Sequence, residues 1–101
     1  MTRSAAGGHA SRSPVAVRAF VSGRVQGVGF REACRRAAGK AGVGGWVRNV
    51  EDGRVEAWFE GDREAVDRVL AWCAHGPSWA AVSGLEIHDE PAGGVATFEV
   101  R

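Results

Sequence analysis

From residue 15 the chain alternates. Val15, Val17, Ala19 and Val21 fall on one side and Ala16, Arg18, Phe20 and Ser22 on the other, the period of two expected of a half-buried strand. The run stops at Gly23-Arg24-Val25-Gln26-Gly27-Val28-Gly29, where three glycines within seven residues allow a tight loop. A helical period follows at once: Phe30, Cys34, Ala37 and Ala41 share one face, and Glu32, Arg35, Arg36 and Lys40 turn toward water. This predicts a helix to about Ala41, stopped by Gly42. A second strand is predicted over Gly45 to Val50. Asp52-Gly53 then signals a hairpin into a third strand, Arg54 to Glu60, with Val55, Ala57 and Phe59 on one face and Glu56, Trp58 and Glu60 on the other. A second helix opens with Asp62 as N-cap, buries Val66, Val69, Leu70 and Cys73, and is ended by Gly76-Pro77. A loop at Pro77, Ser78 and Trp79, a strand from Val82 to His88, a turn at Pro91-Ala92-Gly93-Gly94 and a final strand from Val95 to Arg101 complete the order. Residues 1–13 show neither period and are rich in Ser, Ala, Gly and Arg, so a disordered tail is expected ahead of a domain over 14–101.

Each helix has a single apolar stripe, which one sheet can cover. The order βαββαβ with a terminal hairpin strand therefore predicts an α+β, ferredoxin-like sandwich: an antiparallel sheet with two helices on one face. Strands one and three would be central neighbours, strand two would pair with three at an edge, and the Gly-rich loop would lie at one end of the sheet.

Composition narrows the chemistry. A chain of 101 residues with 45% apolar residues can fill one core and not two. Thirteen Lys and Arg against twelve Asp and Glu give a formal net charge of +1, so no overall field draws the protein to nucleic acid or an anionic membrane, and any anion affinity must be local. No apolar run reaches the ~20 residues of a spanning helix, and Met1-Thr2-Arg3-Ser4-Ala5-Ala6 lacks a secretory apolar stretch. A cytoplasmic protein is expected. Cys34 and Cys73 have no metal-ligand spacing and fall on apolar helical positions, as buried reduced thiols would. His9, His75 and His88 are scattered without an i, i+4 pair, so neither a metal nor a cofactor is expected.

The loop is where local anion affinity can arise. A strand-to-helix turn aims free N–H groups out of the first helical turn, at the positive end of the helix dipole. Arg31 adds a planar fork of donors that matches two phosphate oxygens. A cation there opposes the dipole unless an anion sits between them. Arg31 could also be a solvated first-turn arginine, and Asn49 a residue that supports the turn through Asp52 and Gly53. Arg24 and Arg48 read as solvated or substrate-steering, and Trp46, Trp58, Trp72 and Trp79 as packing.

Two stretches carry a family resemblance. Gly23-Arg24-Val25-Gln26-Gly27-Val28-Gly29-Phe30-Arg31 resembles the first signature of the acylphosphatases. Gly45-Trp46-Val47-Arg48-Asn49, followed by Gly53, Val55 and Gly61, resembles the second. The likeness extends over Val15 to Arg101. It implies a metal-free, cofactor-free hydrolase that cleaves the carboxyl–phosphate bond of small acyl phosphates, with Arg31 and Asn49 at the family's catalytic positions. The phosphoryl group would be held by Arg31 and the N–H groups of Gln26, Gly27, Val28, Gly29 and Phe30, and the attacking water by Asn49. Inorganic phosphate or sulfate would compete, and a monomer with neither a nucleic-acid nor a membrane partner is expected.

Two other classes of function share this pattern. An RNA-binding module could display Phe20 and Trp58 on the open sheet face, but Glu56 and Glu60 would repel a phosphate backbone, and strand three lacks the aromatic signature of such modules. A phosphate-binding regulatory domain could keep the fold without the chemistry. The presence of both Arg31 and Asn49 favours the enzyme.

Overall fold

The computed structural model describes residues 13–101; the expected tail, apart from Ser13, lies outside the described residues. The elements are β1 (Val15–Arg24), α1 (Phe30–Ala41), β2 (Gly44–Asn49), β3 (Val55–Gly61), α2 (Arg63–His75), β4 (Ala81–Glu90) and β5 (Phe98–Val100). They form the expected α+β sandwich, with a five-stranded sheet in the order β4-β1-β3-β2-β5. Strands β1 and β3 are central and antiparallel, in a register that sets Val17 opposite Phe59 and Ala19 opposite Ala57. Both helices lie on the face bearing Val17, Ala19, Val21, Val47, Val55 and Phe59. Phe30, Cys34, Val66, Val69 and Cys73 close over these residues to complete the core.

Helix termini follow local chemistry. Gly42 caps α1, with Gly42 N donating to the Gly39 carbonyl and Val43 N to that of Ala38, the paired bonds of a Schellman end. Asp62 is the N-cap of α2 by position, its backbone carbonyl accepting from Val66 N at 2.9 Å, but its side chain makes no capping hydrogen bond. The buried side of α1 is turned slightly from the expected stripe: Ala33 and Ala38 are buried, whereas Ala37 and Ala41 are half-buried, because α1 packs on α2 as well as on the sheet. Cys34 and Cys73 are buried and free. Contact with Cys73, and then burial, holds the Cys34 thiol well above its ordinary value, which keeps it from reactive thiolate form.

The last strand corrects the expected topology. It forms no hairpin with β4 but crosses to the far edge and pairs parallel with β2, Gly45 opposite Phe98 and Val47 opposite Val100. The sheet is therefore mixed, and β2 is an interior strand. On the open face Glu60 ties the crossing segment down. Its Oε1 accepts from Trp58 Nε1 at 2.9 Å, and its Oε2 accepts from Gly94 N at 2.5 Å and Val95 N at 3.1 Å. These bonds tie the 91–97 segment across the end of the sheet where β3 finishes and β2 begins. The segment passes so close to β2 that a Cβ on Gly44 would lie 2.3 Å from the Val95 carbonyl oxygen. Gly45 is equally constrained from the β3 side, since a Cβ there would meet the Trp58 carbonyl oxygen at 1.7 Å.

The open face carries a second buried carboxylate. Glu56, only 4% exposed, accepts from Arg18 Nη1 at 2.5 Å and from Arg48 at 2.6 Å, and Arg18 also reaches Glu90 at 3.1 Å. The aromatic rings there have cationic neighbours: Arg18 lies 5.4 Å from the Trp58 centroid, Arg54 4.4 Å from Phe20 and Arg101 4.9 Å from Trp46. Arg48, read from sequence as solvated or steering, is thus the partner of Glu56. Among the described residues no helix is long and apolar enough to cross a membrane.

Candidate active site

Strands β1, β2 and β5 run in the same direction, so Arg24, Asn49 and Val100 end together at one end of the sheet. A register shift between Ser22 and Gly23 bends β1 just before it leaves the sheet. The chain then turns through Gln26-Gly27-Val28-Gly29 into α1. Gly27 and Gly29 have φ of 76° and 79°, a left-handed conformation that side chains with a Cβ resist. Positive φ on either side of Val28 builds the kind of concavity in which successive N–H groups converge on an anion. Among the described residues, none of the backbone N–H groups from Gln26 to Arg31 donates to a backbone carbonyl. These are the orphan donors of a helix start, placed over the N-terminus of α1.

Arg31 and Asn49 line one cleft of about 140 Å³ together with Gly27, Gly29, Phe30, Val25, Glu32 and Val100. At about 30 Å³ per water, that space suits a phosphoryl group and a water molecule and falls short of the ~300 Å³ at which pockets begin to enclose drug-sized ligands. Arg31 is half-exposed, and its Nη1 donates to the main-chain oxygen of Arg101 at 2.8 Å, which fixes one arm of the guanidinium. Asn49 is exposed, and its side-chain amide has no hydrogen-bond partner among the described residues. Glu32, the carboxylate on the cleft wall, is tied to Arg35 at 3.1 Å. A larger cleft, about 480 Å³, lies over α1 and the loop after α2 and contains neither Arg31 nor Asn49.

Of the residues expected to hold phosphate, Gly27, Gly29 and Phe30 line the cleft, whereas Gln26 and Val28 do not. The Phe30 ring is buried, 5.2 Å from that of Trp72, so only its backbone faces the question of anions. Gln26 has a different part in the site. Its Nε2 donates to the carbonyls of Val50 at 2.7 Å and Arg54 at 2.9 Å, clasping the turn that follows Asn49. That turn is closed by Val50 N to Arg54 O at 2.8 Å and by Arg54 N to Asp52 Oδ1 at 3.0 Å. The glycine loop and the Asn49 turn are therefore one hydrogen-bonded unit. A long amide inside an otherwise small-residue loop was the available signal for this clasp; the main-chain oxygen of Arg101 had none, since β5 was expected at the opposite edge.

Residues 17–100 match the acylphosphatase family. The chain is 54% identical over 96 residues to an acylphosphatase of Rubrobacter xylanophilus, covering 94% of this chain and 87% of that protein. Among solved structures it resembles an acylphosphatase from Coxiella burnetii, with a TM-score of 0.85, 33% identity and coverage of 90% of this chain and 98% of the other. An acylphosphatase from Bacillus subtilis superposes with a TM-score of 0.83 at 33% identity, covering 86% and 98% of the respective chains. With the family matched from the first core strand to the last, and with relatives of near-equal length sharing half of its residues, this chain belongs to the acylphosphatase family.

Proposed function

We propose that this protein hydrolyses the carboxyl–phosphate bond of small acyl phosphates, releasing a carboxylate and inorganic phosphate. The observation that carries this reading is the meeting of Arg31 and Asn49, far apart in sequence, in one small cleft beside Gly27 and Gly29. An acyl phosphate holds its charge on phosphoryl oxygens, and its carboxylate leaves with little need of protonation. Position and fixed electrostatics can therefore supply most of the rate.

In this reading the loop N–H groups and the guanidinium of Arg31 take the phosphoryl oxygens. The bond to Arg101 restricts Arg31 beforehand, so less rotamer freedom is lost on binding. The unengaged amide of Asn49 holds the attacking water. An amide has no useful pKa, so in this reading the water's proton passes to a phosphate oxygen of the substrate itself. The acyl group stays outside a cleft of this size, which makes the substrate class broad in its carboxylate part. The residues at the cleft carry this chemistry without a cofactor or metal.

The test is hydrolysis of benzoyl phosphate by purified protein, with and without EDTA. Turnover unaffected by EDTA is expected, together with competitive inhibition by inorganic phosphate or sulfate and a melting temperature that rises with phosphate concentration. No turnover, or activity lost to EDTA and restored by Mg²⁺ or Zn²⁺, overturns the reading.

A further inference from the structure

Trp79, expected from sequence to be a packing residue, is 57% exposed. Its indole Nε1–H donates to the carbonyl oxygen of Val28, in the middle of the glycine loop. A Cβ on Gly29 would lie 3.8 Å from that same nitrogen. Trp79 lines the larger cleft over α1 and not the one that holds Arg31 and Asn49, so the indole reaches the loop from outside that site.

The orientation of one peptide unit follows from this contact. The Val28–Gly29 peptide is trans, and in a planar trans unit the C=O and the next N–H point in opposite directions. Holding the Val28 carbonyl outward aims the Gly29 N–H inward. Gly29 on one side, and Gly27 one residue further back, leave this unit unusually free to rotate. A flipped unit would present a carbonyl oxygen to an anion in place of a donor. The strand and helix flanking the loop do not bond this carbonyl: the helix-start bond beside it runs from Ala33 N to the Gly29 carbonyl at 3.2 Å.

We propose that Trp79 is a positioning residue of the active site, whose indole N–H locks the Val28–Gly29 peptide in the orientation that donates the Gly29 N–H to the phosphoryl group. This rests on the reading that the loop holds the phosphoryl group. Trp79 touches no reacting atom; it acts through the backbone. Because the Gly29 N–H meets the phosphoryl group in ground and transition states alike, loss of the lock weakens phosphate binding and raises KM more than it lowers kcat.

The experiment titrates inorganic phosphate into ¹⁵N-labelled protein, following the Gly29 amide and Trp79 indole resonances, for wild type, Trp79→Phe and Trp79→Gln. Phenylalanine keeps a ring against the loop and loses the donor; glutamine loses the ring and keeps an N–H at similar reach. Trp79→Phe is expected to raise the phosphate Kd about 3- to 10-fold, the scale of one hydrogen bond, and to shrink the Gly29 response. Trp79→Gln is expected to stay closer to wild type. The reverse order, with Phe like wild type and Gln weakened, assigns Trp79 to packing and overturns the proposal, as does equal binding by all three proteins. A wild type whose Gly29 amide ignores phosphate overturns the proposal together with the reading it rests on, whereas a wild type that responds leaves that reading standing whatever the variants do.

Discussion

The open face of the sheet and the end that carries the cleft use the same residue types to opposite effect. On the face, Glu56 and Glu60 are almost fully buried at 4% and 2% exposure, and each has partners for both oxygens: Arg18 and Arg48 for one, Trp58 and the 94–95 backbone for the other. At the sheet end the polar groups are incompletely paired. Among the described residues the loop N–H groups lack backbone acceptors and the Asn49 amide is unengaged. Satisfied buried charges hold a fold in one arrangement, and unsatisfied donors gathered at a helix start are what an anion needs. On the open face Phe20, Trp46 and Trp58 have arginines over or beside them.

The sharpest way to test this contrast is to cut each region separately. Asn49→Ala should lower kcat about 10²-fold or more, the scale for one positioned hydrogen-bonding group, with phosphate inhibition and circular dichroism nearly unchanged. Arg31→Ala should lower kcat, raise KM and weaken phosphate inhibition together, because the guanidinium meets the phosphoryl group before and during the reaction. Full kcat in a folded Asn49→Ala protein would return Asn49 to a turn-supporting role.

Glu56→Gln is the mirror experiment. It leaves Arg18 and Arg48 facing a neutral amide, and since both arginines are partly exposed the loss is smaller than for a fully buried pair, about 2 kcal/mol. For a domain of this size that corresponds to a fall in melting temperature of roughly 10 °C. Activity per folded molecule should hold. A large kcat effect at unchanged stability would show that the two regions are not separable in this way.

A smaller effect is expected where the site borrows from its scaffold. Gln26→Leu removes the clasp on the Val50 and Arg54 carbonyls, letting the Asn49 turn drift from the glycine loop. We expect kcat to fall roughly 10-fold, about the free energy of one hydrogen bond, with little change in phosphate affinity. Weakened phosphate binding with kcat intact would instead mean that Gln26 shapes only the loop.

The gentlest probe is acid. Burial pushes the Glu56 carboxyl up, but hydrogen bonds from Arg48 and Arg18 outweigh it; in Glu60 burial is likewise outweighed by Trp58 and the 93–95 backbone. Both titrate below the usual glutamate range. A folded value below the unfolded one contributes stability that is complete above about pH 4.3 and lost as pH falls through the lower folded value. Urea midpoints should therefore vary little, as far as these two groups are concerned, from pH 7 to about 5 and drop below about 4. That acid slope should flatten in Glu56→Gln. An identical slope in the variant would remove Glu56 from the account.

Much of this molecule could be read locally. The alternation of Val15 to Val21, the stripe of α2 with Asp62 and Gly76 at its ends, the Asp52-Gly53 hairpin, and the loop with Arg31 behind it all depend on interactions within a few residues, and sequence encodes those directly. Arg31 and Asn49 stand out as catalytic candidates because each sits in a short stretch that resembles a family signature. What only the tertiary structure decided is who comes to meet them. The last strand crosses the sheet instead of turning back on β4, and Glu60, more than thirty residues earlier, holds the crossing segment by the Gly94 and Val95 amides, a contact that no local pattern specifies. Because the strand crosses, β5 ends beside β2, and the main-chain oxygen of Arg101 reaches Arg31. The contacts of Gln26 with the Asn49 turn and of Trp79 with the Val28 carbonyl arise in the same way: they join elements that are distant along the chain, and their geometry exists only once the sheet has set the distances between strand ends.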